Sequence, residues 1–491
     1  GRRKQCEEKN RAFPFDPKLI TNVVLSHAHI DHSGRIPLLT KENFSGEIYA
    51  TRPTADACRY LLMDSAEIQE SDAQYLNYKT VKTFFSQIRA ASFGKRVTQQ
   101  EILEIKAMMK SNKVRLNDAV INDLIRQFRL ESVTPLYTKK DAQVALTHLQ
   151  GQPYRIPVTI GKETTCTFYD AGHILGSAVS IIKSQANGRR ASILFTGDIG
   201  RYDNQILRDP CSDFMEEDRD IDFMIMESTY GDRLHEPMTD MVPMLEKVLK
   251  ETYARGGSLI IPSFAFGRTQ ELVYAFHEIY QKGSVPKIPI YVDSPLAKEL
   301  TQVYGEHPEV YDKETNDLFL SKGMNPFLFN QVHFIESIEQ SMELNRDKTP
   351  HVVISASGMC EAGRILHHLR HKIHDERNTI LIVGYMADNT LGRKIHDLGL
   401  AYEASGRSGA APVVKFFNKE YPLKAHVVKL GGFSAHGDKE ELLRFIRRSN
   451  LRIKRIAVVH GEESQSLAFA STLQKEGFDT VVPRFGEAVR I

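Results

Sequence analysis

The chain has 491 residues, 41% hydrophobic and 26% charged, with 64 Lys and Arg against 62 Asp and Glu for a formal net charge of +2; that length calls for two domains, and the near-neutral balance excludes a globally basic nucleic-acid binder, so any polyanion site must be local. No apolar run approaches the roughly 20 residues of a membrane span and no charged-then-apolar leader opens the chain, which excludes a spanning protein and predicts a cytoplasmic one. Five scattered cysteines without a C-x-x-C pair exclude a disulfide scaffold and a structural zinc knuckle, leaving His and Asp to hold any metal.

The first predicted strand covers Val23 to Leu25 and runs directly into H-A-H-I-D-H, which places His27, His29, Asp31 and His32 within six positions. Histidines two apart in extended backbone point to the same side, so His27 and His29 can hold one ion while Asp31 and His32 turn away and can serve a second. Residues 79–133 then carry eleven Lys or Arg against five Asp or Glu, the strongest charge asymmetry in the chain. The segment reads as helical, with Thr98 and Glu101 spaced as a capping box before Ile102, Ile105 and Met109, and with Asn117 ahead of Val120, Leu124 and Phe128. A solvated helical pair and an RNA-touching arm both fit that pattern.

Further along, strand-like stretches alternate with helical ones, which signals an α/β chain with largely parallel sheet. Phe168 and Tyr169 lead into D-A-G-H-I-L-G-S and offer His173; Ile193 to Phe195 leads into T-G-D-I-G-R and offers Asp198. Near the end, Val458 and Val459 lead into H-G-E and offer His460. Glycine beside each of them lets backbone crowd around an ion. With the first loop these make seven ligands, the right number for two zinc ions with Asp198 as the candidate bridge.

From Glu227 onward a short strand, a small-residue turn and a helix recur four times. Leu259 to Ile261 precedes P-S-F-A-F-G-R-T-Q, Ile290 to Val292 precedes D-S-P-L, Val352 to Ile354 precedes S-A-S-G-M, and Ile380 to Val383 precedes G-Y-M-A-D-N-T-L-G-R. In open α/β sheets such turns share one edge, where backbone N–H groups and helix N-termini attract phosphate. Arg268, Arg364 and Arg393 each follow a glycine there, and with Ser263, Ser355, Ser357 and Gly358 they are the candidate phosphate contacts.

The quoted motifs carry a family resemblance. H-A-H-I-D-H, A-G-H-I-L-G-S and F-T-G-D-I-G-R resemble the second, third and fourth motifs of the metallo-β-lactamase fold, in the family's order. E-S-T-Y-G-D with Glu227, F-S-A-H-G-D with His436 and V-V-H-G-E with His460 resemble motifs A, B and C of the β-CASP nucleases. The match spans nearly the whole chain and is most similar to the RNA-processing branch, relatives of the pre-mRNA 3′-end cleavage endonuclease. Histidine at motif C marks that branch, whereas DNA-repair relatives usually carry valine.

The resemblance implies an α/β protein, a metallo-β-lactamase αββα sandwich over residues 1–226 and 425–491 with a β-CASP domain inserted over 227–424 and a basic helical insertion at 79–133. It implies that His27, His29 and His173 hold one zinc, that Asp31, His32 and His460 hold the other, and that Asp198 bridges them. His and Asp donors suit manganese as well. Glu227, His436 and Asp31 form the implied catalytic set, with His436 as proton donor and Glu227 fixing its tautomer. Family members begin with strands and a D-x-G motif that this chain lacks, so a fragment of a longer protein is expected.

The implied function is hydrolysis of single-stranded RNA by a two-metal hydroxide mechanism, endonucleolytic and also open to a 5′-to-3′ exonucleolytic mode. A narrow cleft between domains admits one backbone, and binding should fall steeply with salt. A DNA nuclease is disfavoured by His460, and small-molecule hydrolysis leaves Glu227, His436 and the inserted domain without a purpose. A non-catalytic RNA-binding subunit is opposed by the seven filled ligand positions. Oligomeric state is not readable from the chain.

Overall fold

The structure is a computed structural model that describes residues 9–90, 99–110, 116–186, 188–235 and 241–490. The chain divides into two compact units. The smaller takes the described residues of Gly1–Val23, His29–Glu47 and Leu61–Leu149; the larger takes Val24–Ala28, Ile48–Tyr60 and Gln150–Ile491. Three short strands, β1 (Asn22–Val24), β2 (Glu47–Thr51) and β3 (Leu149–Gln152), stand where the chain passes from one unit to the other. No described helix is long and apolar enough to cross a membrane.

The smaller unit holds the basic segment, whose described residues form helix up to Ala90 in Arg52–Ala90 and over Gln99–Met108 and Asp118–Gln127, in line with its periodicity. Asn117 caps the helix Asp118–Gln127, its side chain accepting from the Val120 N–H at 3.4 Å. The helix buries Ile121 and Ile125 against Val81, Phe85 and Met109, so the segment has an apolar core of its own. The Thr98 capping box lies outside the described residues. Asn77 ties this unit's long helix to the chain downstream, donating to the Val133 carbonyl at 2.9 Å and accepting from its N–H at 2.8 Å.

In the larger unit, β4 (Val158–Gly161), β5 (Thr164–Asp170), β6 (Ala178–Ala186), β7 (Arg189–Phe195) and β8 (Asp220–Glu227) belong to a seven-stranded sheet. A six-stranded sheet follows, from β9 (Leu259–Pro262), β10 (Ile290–Val292), β11 (Val332–Phe334), β12 (Val352–Ser355) and β13 (Thr379–Ile382). Then come a hairpin, β14 (Val413–Phe416) with β15 (Lys419–Pro422), and the sixth strand of that sheet, β16 (His426–Lys429). Finally β17 (Arg452–Val459) and β18 (Asp479–Val481) complete the first sheet in the order β18-β17-β8-β7-β6-β5-β4. The second runs β11-β10-β12-β9-β13-β16, so its strands extend past the boundary expected near Lys424.

Strand direction decides where the chemistry sits. In the seven-stranded sheet β7 pairs parallel with β8 and β8 with β17, while β5 and β7 both run antiparallel to β6. Strands β5, β7, β8 and β17 therefore point the same way and end on one edge. The helices Lys439–Arg448 and Glu463–Lys475 cover this sheet, burying Leu442, Phe445, Phe469 and Leu473 with Tyr169, Val179, Met224 and Ile456. All five pairings of the six-stranded sheet are parallel, and β9, β12 and β13 are buried at every position, as a sheet covered on both faces requires. Its four predicted turns do share one edge.

Candidate metal centre

Strands β5, β7, β8 and β17 each deliver one polar group to the common edge of the seven-stranded sheet. Glu227 is the last residue of β8; His173, Asp198 and His460 lie within three residues of the ends of β5, β7 and β17. His27 joins them from the exit of β1, where Leu25 N–H donates to the Tyr49 carbonyl and Ala178 N–H to that of Ser26, each at 2.9 Å. Backbone geometry makes these turns tight. His460 itself adopts φ 54°, and a Cβ on Gly461 would stand 2.6 Å from the Ser228 carbonyl oxygen.

The ligand-capable atoms of His27, His173 and Asp198 lie within 4.8 Å of one another, as do those of Asp198, Glu227 and His460. Asp198, 1% exposed, is the hinge of the arrangement. Its Oδ2 faces His27 Nε2 at 3.4 Å and His173 Nε2 at 3.5 Å, and its Oδ1 faces His460 Nδ1 at 3.5 Å. Two ligands ~2.0–2.1 Å from a tetrahedral zinc stand roughly 3.3–3.4 Å apart, so these separations fit ligands sharing an ion. The His173 tautomer agrees: Nδ1 lies 3.0 Å from the Ala435 carbonyl, which only accepts, so Nδ1 carries the proton and Nε2 turns a lone pair toward the carboxylate. A cation between two lone pairs relieves that opposition. Buried imidazoles and a carboxylate with this tautomer are a donor set that suits zinc.

The rest of H-A-H-I-D-H belongs to the smaller unit. His29 caps the short helix Ile30–Ser33 and takes the Ser33 hydroxyl on its carbonyl at 3.0 Å. Asp31 is largely exposed within that helix, its Oδ2 3.8 Å from the more enclosed His32 Nε2.

Beside Asp198, Glu227 accepts from the Ile199 N–H at 2.7 Å and places Oε1 3.2 Å from His436 Nδ1. His436 arrives on the loop that leaves β16, and Gly200 bridges to it in antiparallel fashion. Burial alone would lower the His436 pKa; the Glu227 carboxylate, with Asp198 behind it, outweighs that and raises it. The His436 ring centroid lies 4.6 Å from that of His173 and 6.1 Å from that of Tyr230. Sequence reasoning missed the groups behind this pair. His235 Nε2 lies 3.2 Å from the His436 carbonyl, its backbone N–H donates to Asp438 at 2.8 Å, and burial pushes its pKa down to about 4, which keeps it neutral. Only its place three residues past E-S-T-Y-G-D pointed to it.

At the edge of the six-stranded sheet the polar groups turn inward. Ser263 and Ser355 are each 1% exposed, and their hydroxyls donate to the carbonyls of Phe264 at 3.2 Å and Asp293 at 2.9 Å. Ser357 accepts from the Glu361 N–H at 3.3 Å, and Gly358 packs against the Phe264 ring. Arg268 is buried, paired to Glu271 at 2.5 Å and set over the Phe433 ring. Arg364 donates to Asp293 at 2.7 Å and to the carbonyls of Ile335 and Glu336. Arg393, on the exposed side, donates to Asp397 at 2.7 Å and Asp388 at 3.2 Å. Asp293, fully buried, also takes His368 Nε2 and the Ser341 hydroxyl at 2.6 Å each. Burial raises its pKa, but those bonds win and hold it below the usual carboxylate range.

Comparison with known proteins gives this geometry a family. Residues 269–395 match the Beta-Casp domain, and residues 420–483 match the Zn-dependent metallo-hydrolase RNA specificity domain. Ribonuclease TTHA0252 of Thermus thermophilus is 31% identical over 487 residues, covering 99% of this chain and 91% of the relative. Proteins named transcription termination factor FttA, from Methanosarcina mazei and Methanocaldococcus jannaschii, are 28% and 29% identical over 94% and 99% of this chain. They are longer, and the chain spans 61% and 66% of their length. Motif order, the convergence on Asp198 and these matches together make the chain a member of the β-CASP metallo-β-lactamase family of nucleases.

Proposed function

We propose that this protein is a zinc-dependent ribonuclease that hydrolyses phosphodiester bonds of single-stranded RNA, acting as an endonuclease and, at a free 5′ end, as a 5′-to-3′ exonuclease. The observation that carries the reading is Asp198, whose two carboxylate oxygens each face imidazole nitrogen, His27 and His173 on one side and His460 on the other. On this reading His27, His29 and His173 would hold one ion and Asp31, His32 and His460 the second, with the Asp198 carboxylate available to both. When bound, such a pair supplies Lewis acidity that activates water near neutral pH and offsets charge on the phosphate.

The chain's own residues do the rest. His436, held protonated on Nδ1 by Glu227, keeps Nε2 available to deliver a proton to the leaving oxygen. Glu227 is fixed by the Ile199 and Thr229 N–H groups and does not need to move. The inserted domain is assigned to residues 227–424, with β16 just beyond it completing its sheet, a reading supported by the 269–395 match inside it. Its Ser357 and Gly358 backbone and the Arg393 side chain are the proposed contacts to phosphate, with Ser263, Ser355, Arg268 and Arg364 shaping the turns that present them.

Incubating the metal-replete protein with single-stranded RNA, single-stranded DNA and nitrocefin tests the proposal. RNA alone should be cut, and 5′-phosphorylated RNA should yield both internal fragments and mononucleotides. Cleavage of DNA at the same rate, or of nitrocefin only, rejects it.

A further inference from the structure

Two aromatic rings stand in solvent on the turns that border the catalytic residues. Phe264, 45% exposed, lies in P-S-F-A-F-G-R just after β9; Tyr385, 48% exposed, lies in G-Y-M-A-D just after β13. Strands β9 and β13 pair parallel through Leu259 with Thr379 and Ile260 with Ile380, so the two turns rise from neighbouring strands about 4.8 Å apart.

Phe264 is not loosely displayed. Its carbonyl accepts from the Thr269 hydroxyl at 2.7 Å, the Ser263 hydroxyl at 3.2 Å and the Thr269 N–H at 3.3 Å, which pins the backbone under the ring. Gly358 lies against the ring edge: a Cβ there would stand 3.1 Å from Cδ2 and Cε2. The buried serine and the glycine thus seat one exposed ring. The same turn reaches the metal centre, since a Cβ on Gly267 would lie 3.2 Å from Ile174, the neighbour of His173. On the other side, burial raises the Tyr230 pKa and the Tyr385 phenol adds to that rise, while the Tyr230 ring centroid lies 6.1 Å from that of His436.

A rigid, solvent-facing ring beside a phosphodiesterase centre offers a flat surface that any nucleobase can cover, whatever its sequence. Stacking needs the base unpaired, so the same surface discriminates against duplex. Resting on the ribonuclease reading above, we propose that Phe264 and Tyr385 form a stacking platform for unpaired RNA bases, which holds the strand while its phosphodiester lies at the metal centre.

The test is equilibrium binding of a phosphorothioate-linked single-stranded RNA carrying 2-aminopurine, titrated with the holoenzyme and with Phe264→Leu and Tyr385→Leu. Stacking quenches 2-aminopurine, so the unaltered protein should quench it, and each variant should bind about 10-fold more weakly with much of the quenching lost. Leucine keeps apolar bulk and removes only the aromatic face; matched melting temperatures and zinc content show that fold and metals survive. If Phe264→Leu fails that check, Tyr385→Leu decides. Equal affinity and quenching in protein and variants overturns the platform, as does binding without quenching or no binding at all. Cleavage of the all-phosphodiester RNA, followed separately, reports on the ribonuclease reading, so the two can fail independently.

Discussion

The two sheet edges of the larger unit use the same sequence device, a strand followed by a small-residue turn, to opposite ends. Along the seven-stranded sheet the polar side chains converge: His27, His173 and His460 all face one carboxylate, Asp198, and Glu227 faces His436. Along the six-stranded sheet they are engaged in pairs, Arg268 with Glu271, Arg364 with Asp293 and Arg393 with Asp397. Convergence of like donors leaves a site whose electrostatics favour a cation, whereas internal pairing leaves a wall largely offset within itself, with backbone, aromatic faces and the half-exposed Arg393 to offer. A functional edge is recognised by what its polar groups fail to offset among themselves, more than by which residue types stand there.

The sharpest way to break this comparison is Asp198→Asn. An amide keeps the shape but removes the charge that both sets of imidazoles face, so metal analysis should find well below the roughly two ions per chain expected of the unaltered protein. RNA cleavage should fall further than for any loss of a proton donor, which typically costs ~10²–10⁴-fold. Full metal content and turnover in that variant would sink the convergence argument. His436→Ala is the next largest effect: a ~10²–10⁴-fold slower cleavage with zinc retained, as expected of a ring that, on the proposed reading, donates a proton and is no ligand. Metal loss alongside activity would instead make His436 part of the metal cage.

Much of the converging edge was legible. His173, Asp198 and His460 each follow an apolar strand and sit beside glycine, and the motif order assigned Glu227 and His436; the structure brings the ends of β5, β7, β8 and β17 to one edge of the seven-stranded sheet. Short strands such as β9 and β12, buried at every position, read as apolar runs. What stayed hidden depends on packing across distant segments. Nothing local tells that the Ser263 and Ser355 hydroxyls turn inward, or that Asp293 gathers Arg364, His368 and Ser341 from up to 75 residues away. The Arg268–Glu271 and Arg393–Asp397 pairs were within reach, since their spacings of three and four bring side chains together on a helix.

Stability measurements sharpen the other half of the comparison. Asp293→Ala removes the acceptor of Arg364 and His368 in a fully buried place, and stranding such a charge costs about 3 kcal/mol. Urea unfolding should shift by that amount while zinc content stays unchanged. A variant as stable as the parent would mean that the cluster is not the internal counter-charge described.

Ser355→Ala gives the smallest effect and the finest discrimination. Its hydroxyl donates to the Asp293 carbonyl at 2.9 Å from a position only 1% exposed. Removing one such neutral bond should cost about 1 kcal/mol in urea unfolding. Since the oxygen faces the protein, KM for single-stranded RNA should move by less than the ~10-fold expected when a charge-assisted bond to phosphate is lost. The opposite split, unchanged stability with a ~10-fold higher KM, would mean that the serine swings outward to meet substrate. The wall of the six-stranded sheet would then hold its donors in reserve and would resemble the metal edge after all.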